Sequence, residues 1–302
     1  MLFFLKKLLI IGISDEIYTL TNDPHVRPST NIIVSKNKAH DYLESTESPL
    51  ENLITKHYEI FPNSSKYTGY VYDATLSGFL NDLVSPTSEP VAILGGINSN
   101  TEVNNDNATN VTNMKSTDTS FVGGNKTENF GIAVFKDDKL VGELTALETL
   151  CLSILQKKVN SFLIQVPDSE NPNEDVDLVL YPSYKKNPEV KIVNGSPYIT
   201  VDIYFIGRIY SMKADSKYVD DKVLEDLSSE ANAYLEQIFR DYLYRTSTEL
   251  RADINDFGKY ALKNFLTIQD SENYDWQANF VNSVFKVNID VSVKSGYIVT
   301  ET

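Results

Sequence analysis

The sequence predicts a multidomain α+β protein whose C-terminal domain is an antiparallel or mixed sheet with long helices packed on one face. Apolar and polar residues alternate along 198–209 and again along 285–293, which is the two-residue period of strands with one buried face. Between them, the apolar residues of 222–250 recur at helical spacing and indicate one long amphipathic helix. A second helix is predicted over about 255–265. A tract rich in Asn and Thr, residues 97–129, lacks apolar periodicity and precedes this domain.

The same patterns divide the chain into three regions. We expect a partial N-terminal α/β domain over 1–96, a flexible linker over 97–129 and a C-terminal α+β domain over 130–302. The linker is predicted because a tract of Asn and Thr buries too little apolar surface to offset the entropy that ordering removes. The chain as a whole is 41% apolar, which suffices for ordinary cores.

Short helices and strands are predicted in the first region. Residues 30–35 (TNIIVS) are typical of a strand. Ser48, followed by Pro and then by Glu51, combines the preferred residues for the start of a helix, which we expect over 49–60. Asp73 is predicted to cap a further helix that ends before a proline. The apolar positions of that helix share one face: Leu76, Phe79, Leu80 and Leu83.

A hairpin and a capped helix open the C-terminal region. Two apolar strands flank a polar turn at Lys136 to Lys139. Thr145 and Glu148 then form the Thr-x-x-Glu pattern of a capping box, at the start of a helix that continues to Leu155. Further strands are predicted over three segments separated by Pro, Asn and Gly: 176–181, 189–193 and 198–209.

Composition excludes several classes of function. The formal net charge is -15 and the pI is near 4.6, so the phosphates of a nucleic acid would be repelled and no nucleic-acid partner is expected. The single cysteine, Cys151, excludes a disulfide within the chain and a cysteine-based zinc site. Its helical spacing with Leu147, Leu150 and Ile154 favours a buried structural thiol over a reactive one.

No catalytic, cofactor-binding or metal-binding residue is predicted, and no cofactor. The histidines His25, His40 and His57 form no His-x-x-x-His pair, and a Gly-x-Ser-x-Gly elbow is absent. Residues 256–258 spell the Asp-Phe-Gly of protein kinases, but none of the other kinase motifs accompanies them. The acidic stretch 170–177 could bind calcium, but it lacks the EF-hand order, which favours a solvated loop.

Three motifs of the second half occur together, in this order, in one family. The first, AVFK-x-x-KLVG-x-L-T-x-x-E-T, begins at Ala133, and the second, ADI-x-x-FGK, begins at Ala252. The third begins at Trp276 and continues as an alternating strand to Val293. With these motifs the chain resembles the Ger(x)C family, the C subunits of nutrient germinant receptors in bacterial spores. The resemblance covers roughly residues 8–95 and 130–302.

The resemblance implies a non-enzymatic receptor subunit in spore germination. Such a subunit lies at the outer face of the spore inner membrane, in contact with the membrane surface and with two membrane subunits, A and B. A strand like residues 8–12 lies inside the first domain of the family, and Ser65 to Thr68 matches a segment that precedes a helix there. The chain departs from the family pattern at Glu143 and Cys151.

The N-terminus departs further from the family, whose members begin with a lipoprotein signal that ends in a cysteine. Residues 1–13 (MLFFLKKLLIIGI) include two lysines and are shorter than the ~20 apolar residues that a membrane-spanning helix needs. They contain no cysteine to carry a lipid. We therefore expect a chain that starts late relative to its family and lacks its anchor; the alternative is that residues 1–13 act as an uncleaved anchor.

Two other classes of function stay open on the sequence alone. The chain has 18 tyrosines and one tryptophan, so we expect most tyrosines to line strands and some to form an exposed aromatic patch. A secreted or surface-exposed adhesin-like binding protein would use such a patch together with the linker. A metal-independent hydrolase would use pairs of carboxylates that meet only in the folded chain.

Overall fold

The computed structural model describes residues 2–5, 9–46, 61–97, 115, 126–167, 175–211 and 221–294. The helix predicted over 49–60 lies outside the described residues. So do most of the tract over 97–129 and most of the acidic stretch 170–177. The described residues form an α+β fold with two mixed sheets, as the sequence predicts.

The first sheet has the strand order β1-β2-β3-β4-β5 in the described part of the chain. The first three strands are parallel to one another, β4 pairs antiparallel with β3, and β5 pairs antiparallel with β4. Their bounds are Leu2–Leu5 (β1), Ile32–Ser35 (β2), Val91–Ile97 (β3), Thr127–Lys136 (β4) and Lys139–Leu144 (β5). The predicted turn between β4 and β5 is confirmed, and Asp137 adopts a left-handed backbone there with φ of 55°.

Helices pack on both faces of the first sheet. On one face, Ile17 of helix α1 and Phe79 of helix α4 pack against β2, β3 and β4, and the Phe79 ring meets Phe135 edge to face at 5.0 Å. On the other face, Tyr42 of α2 and Leu150 of α5 join the main core. Because both faces are covered, β2 and β3 are continuous apolar runs rather than alternating ones. The helices are Ser14–Asn22 (α1), Ala39–Ser45 (α2), Phe61–Thr68 (α3), Leu76–Leu83 (α4) and Ala146–Leu155 (α5).

The second sheet has the strand order β10-β9-β7-β6, with β8 also paired to β9. Along one edge of the long strand β9, the first part pairs antiparallel with β8 and the later part pairs antiparallel with β7. Along its other edge, β9 pairs with β10 in parallel. The bounds are Phe162–Pro167 (β6), Asp175–Ser183 (β7), Glu189–Val193 (β8), Ser196–Ser211 (β9) and Val284–Lys294 (β10). The predicted strands correspond to β7 to β10, whereas β6 was not predicted.

One long helix covers the inner face of the second sheet, as predicted. Helix α6 (Asp221–Tyr244) continues as a π-helical turn to Leu250. Asn232 and Ser228 of α6 accept hydrogen bonds from the backbone N–H groups of Val291 and Val293 at the outer edge of β10, at 2.7 and 3.0 Å. Short helices follow: Phe257–Ala261 (α7), a 3-10 turn at Leu262–Asn264, Ile268–Tyr274 (α8) and Trp276–Phe280 (α9).

Two local predictions in the N-terminal region were wrong. Residues 9–11 form a turn and not a strand, and the strand that joins the sheet is Leu2–Leu5. Asp73 does not cap α4, because its carboxylate accepts a hydrogen bond from the Asn31 side chain at 2.8 Å. Thr75 is the cap, and its Oγ1 accepts the backbone N–H of Gly78 at 3.1 Å.

The first sheet takes strands from both sides of the Asn- and Thr-rich tract. Strand β3 runs to Ile97 and β4 begins at Thr127, so the hairpin that opens the predicted C-terminal domain completes the sheet of the N-terminal region. Ala92 and Leu94 of β3 pack in one core cluster with Ala133 and Phe135. The division into three regions stays a prediction, and the two flanking regions share a sheet.

We expect the chain to remain one particle after it is cut between β3 and β4. A recognition site for a sequence-specific protease is inserted between Ser99 and Asn100, the protein is cut, and both fragments are followed by size-exclusion chromatography. They should co-elute, because the β3–β4 ladder and its buried apolar contacts hold them together without a covalent link. The same material run in denaturant is the control. Separate elution under native conditions would instead support an independent domain over 130–302.

Candidate functional site at the junction of the two sheets

A buried carboxylate organises the segment that contains the second motif. Asp253 is fully buried, and its Oδ2 accepts hydrogen bonds from the backbone N–H of Gly258 and from the indole N–H of Trp276, both at 2.8 Å. Its Oδ1 accepts the backbone N–H of Asn255 at 3.1 Å. A buried carboxylate is stable only when its oxygens are hydrogen-bonded, so Asp253 fixes both the turn after it and the position of Trp276.

Residues of the N-terminal region close over this segment. The backbone N–H of Glu89 donates to the carbonyl oxygen of Asp253 at 2.9 Å, and the Ser88 hydroxyl donates to Asp256 at 2.5 Å. Gly258 permits the close approach, because a Cβ there would lie 2.6 Å from the Thr87 carbonyl oxygen. We call this contact between residues 87–89 and 253–258 the junction clamp.

Burial changes the protonation of the two carboxyls of the clamp. Removal from water raises the pKa of Asp253 from 3.8 to about 7, against the opposing effect of its hydrogen bonds from Gly258, Trp276 and Phe257. Removal from water also raises the pKa of Glu89 from 4.5 to about 7, although its carboxylate accepts the backbone N–H of Asp137 at 2.6 Å. Both groups therefore titrate near neutral pH.

A charged cleft opens beside the clamp, with a volume of about 360 Å³. Its walls come from α4, from the C-terminal end of α5 and from the segment that follows Ile254. The buried Tyr72 lies at its base, donates a hydrogen bond to Gln156 and accepts one from Lys158. The Gln156 side chain in turn donates to the Ile254 carbonyl oxygen at 2.8 Å. This chain of hydrogen bonds joins the N-terminal region, α5 and the clamp.

Charges of both signs line this junction cleft. The Lys158 ammonium group lies 3.9 Å from the centre of the Tyr72 ring, and burial lowers its pKa while nearby carboxylates oppose that effect. Lys259 forms an ion pair with Asp256 at 2.9 Å. Asp82, on α4, is partly buried, and burial together with the charge of Asp256 raises its pKa from 3.8 to about 6. The cleft can hold a small polar molecule by charge and by hydrogen bonds.

The residues that the sequence singled out lie elsewhere. Cys151 is buried in α5 as predicted, and burial raises the pKa of its thiol well above the usual value. His25 and His40 lie apart on the surface, whereas His57 is outside the described residues. Phe257 and Gly258 begin α7 and serve packing. Among the described residues, no group of three or more His, Cys, Asp or Glu side chains could hold a metal ion.

Sequence reasoning missed the cleft residues Tyr72, Asp82 and Lys158. Tyr72 and its hydrogen-bond partner Lys158 are 86 positions apart in the sequence, and none of the three residues belongs to a motif with a characteristic spacing. The ADI-x-x-FGK motif was the available signal for the clamp, because its Asp and Gly have no role in an ordinary amphipathic helix.

Exposed apolar and aromatic side chains form two surfaces outside the cleft. On the open face of the second sheet, Tyr181 and Tyr210 are exposed, and the aromatic patch expected from the sequence stays a prediction. After α7, the Leu262–Ile268 loop carries Leu266 and Ile268, which are 99% and 80% exposed. The exposed parts of these side chains are available for contacts with a partner.

Replacing Asp253 by Asn should flatten the pH dependence of stability. Between pH about 4 and 7 the folded protein holds a proton on Asp253 that the unfolded chain has released, so the free energy of unfolding falls as pH rises through this window. Asp253→Asn removes up to about 1.4 kcal/mol per pH unit of that slope. Urea unfolding at several pH values measures it. The exposed Asp226→Asn is the control; an unchanged slope in Asp253→Asn would contradict the assignment.

Comparison with known proteins covers both regions of the chain. Residues 130–296 match the family described as "Spore germination B3/ GerAC like, C-terminal", and residues 1–95 match "Spore germination protein N-terminal domain". No curated protein matched the chain. The solved structure titled "Crystal Structure of the GerBC protein" superposes with a TM-score of 0.66 at 14% identity, over 96% of this chain and 78% of that one. The chain therefore belongs to the Ger(x)C family of spore germination proteins.

Proposed function

We propose that the chain is the C subunit of a nutrient germinant receptor and acts without catalysing a reaction. The observation that carries the proposal is the match of two spore-germination family models, in order, over residues 1–95 and 130–296. The similarity to the GerBC structure supports the same fold. The clamp gives the second motif a structural role, because its Asp, Gly and Lys all hold or border the contact between the two regions.

The proposed site of action is the outer face of the spore inner membrane, beside the A and B membrane subunits. No helix in the described part of the chain is long and apolar enough to cross a membrane. Contact with the membrane subunits would use exposed apolar side chains. The Leu262–Ile268 loop supports this role, because the side chains of Leu266 and Ile268 are 99% and 80% exposed.

Complementation tests the proposed function. The chain is fused to a lipoprotein leader and expressed, together with its cognate A and B subunits, in a sporulating strain that lacks its own C subunit. Restored nutrient germination, together with co-purification of the A and B subunits, is the expected result. The same strain with the A and B subunits alone is the control. If the fusion is present in the spore membrane fraction but neither binds the A and B subunits nor restores germination, the receptor role is wrong.

Substitution of two loop residues tests the proposed partner contact. Leu266→Ser with Ile268→Ser should reduce co-purification with the A and B subunits about tenfold or more, because buried aliphatic anchors contribute strongly at interfaces. The midpoint of thermal unfolding of the isolated chain should stay unchanged. Val84→Ser, which replaces an aliphatic side chain that is 58% exposed at the end of α4, is the matched control. Equal co-purification of the double variant and the wild type would exclude this loop.

A further inference from the structure

The two carboxyls of the junction clamp are buried and receive hydrogen bonds from neutral groups. Asp253 is fully buried, and Glu89 is 5% exposed. In the described part of the chain, the donors to Glu89 and Asp253 are the backbone N–H of Asp137 for the former, and backbone N–H groups and the Trp276 indole for the latter. A buried carboxyl that is not paired with a cation is more stable with a proton than without one.

These carboxyls belong to opposite sides of one contact. The backbone N–H of Glu89 donates to the carbonyl oxygen of Asp253 at 2.9 Å. The charge of Asp253 also raises the pKa of Glu89, because two like charges repel each other. Loss of both protons would place two negative charges inside the contact, where water screens them little.

The charges around the clamp leave this repulsion in place. Charged and titratable groups face it from four elements: Lys136 and Asp137 from the β4–β5 hairpin, Asp256 and Lys259 from the segment after Ile254, Asp82 from α4 and Tyr242 from α6. Lys136 lowers the pKa of Glu89, whereas Lys259 is paired with Asp256 at 2.9 Å. Burial is the largest effect on both clamp carboxyls, and each has a pKa of about 7.

Glu89 also connects the clamp to the start of α1. Its Oε2 accepts the backbone N–H of Asp137 at 2.6 Å, and the neighbouring Asp138 accepts the Ser14 hydroxyl at 2.9 Å. The Ile13 N–H donates to the Asp138 carbonyl oxygen at 3.2 Å. A movement of Glu89 would therefore reach the β4–β5 turn and the residues that begin α1.

We propose that the junction clamp is a proton-dependent contact, which is closed while Glu89 and Asp253 hold their protons and in which residues 87–89 separate from residues 253–258 when both are ionised. In the open form, both carboxyls meet water and regain their ordinary acidity, so opening releases protons. The equilibrium constant for opening therefore rises up to about tenfold per pH unit for each carboxyl, between pH about 5 and 7. The inference concerns the isolated chain and does not depend on the receptor role.

The single tryptophan of the chain reports on the clamp. Trp276 is 5% exposed and donates to Asp253. A Cβ at Gly258 would lie 2.7 Å from both the Thr87 Cβ and the Trp276 Cδ1, so Thr87 and the indole pack against the same glycine. Separation of residues 87–89 should therefore expose the indole to a quencher in solution.

Acrylamide quenching of the Trp276 fluorescence tests the proposal, with far-UV circular dichroism recorded on the same samples. The quenching constant should rise about twofold or more from pH about 5 to about 8, while the circular dichroism stays constant. Above pH about 7, the Glu89 N–H should also exchange with solvent faster than the amides of β3, after correction for intrinsic rates. An unchanged quenching constant, a rise that accompanies loss of the dichroism signal, or equal exchange of these amides would overturn the proposal.

Glu89→Gln assigns the effect to the clamp. The substitution keeps the side-chain shape and an oxygen that can accept the Asp137 N–H, so the variant is expected to fold. Because it removes one of the two charges, it should reduce the rise in quenching by about half or more. Asp226→Asn, which removes an exposed carboxylate on α6, is the control and should behave like the wild type. A full wild-type rise in Glu89→Gln would show that the clamp is not controlled by this carboxyl and would contradict the proposal.

Discussion

The burial of one carboxylate, that of Asp253, is the constraint on which the junction depends. Its oxygens accept hydrogen bonds from Gly258 and Trp276, and its own carbonyl oxygen receives the N–H of Glu89. These bonds hold the segment after Ile254 in place, which in turn forms one wall of the cleft. Loss of the carboxylate would leave several buried donors without an acceptor, each of which costs about 1–3 kcal/mol. The motif Ala-Asp-Ile-x-x-Phe-Gly-Lys therefore has a structural role: it fixes the segment that also forms one wall of the cleft.

The elements that could be predicted from the sequence are those defined by near neighbours. The capping box of Thr145 and Glu148 is present with both of its hydrogen bonds, at 2.7 and 3.3 Å. The alternation in β9 and β10 and the stripe of α6 are also confirmed, because periodicity reports directly on which face is buried. The wrong assignments arose where two local choices were equally good. Asp73 and Thr75 are both capable caps, and only the competing bond to Asn31 decides between them.

The arrangement of the sheets and the cleft could not be predicted from the sequence, because both depend on long-range contacts. Nothing in the hairpin of β4 and β5 indicates that it pairs with β3, about thirty residues upstream beyond an Asn- and Thr-rich tract. The alternation of apolar and polar residues in β9 and β10 likewise does not indicate that the two strands pair in parallel. Tyr72, Asp82 and Lys158 become a site only when α4 and α5 meet the clamp. The two family models match residues 1–95 and 130–296 separately. The first sheet contains strands from both of these regions.

In the described part of the chain β10 lies at the edge of the second sheet, and this position has a consequence for the behaviour of the protein at high concentration. An edge strand with unpaired N–H groups is a template for strand addition by another chain, and a long alternating strand such as β10 would start fibrous association readily. Asn232 and Ser228 of α6 occupy two of those donors with side-chain oxygens. The helix thereby protects this edge of the sheet from pairing with the edge strand of a second chain.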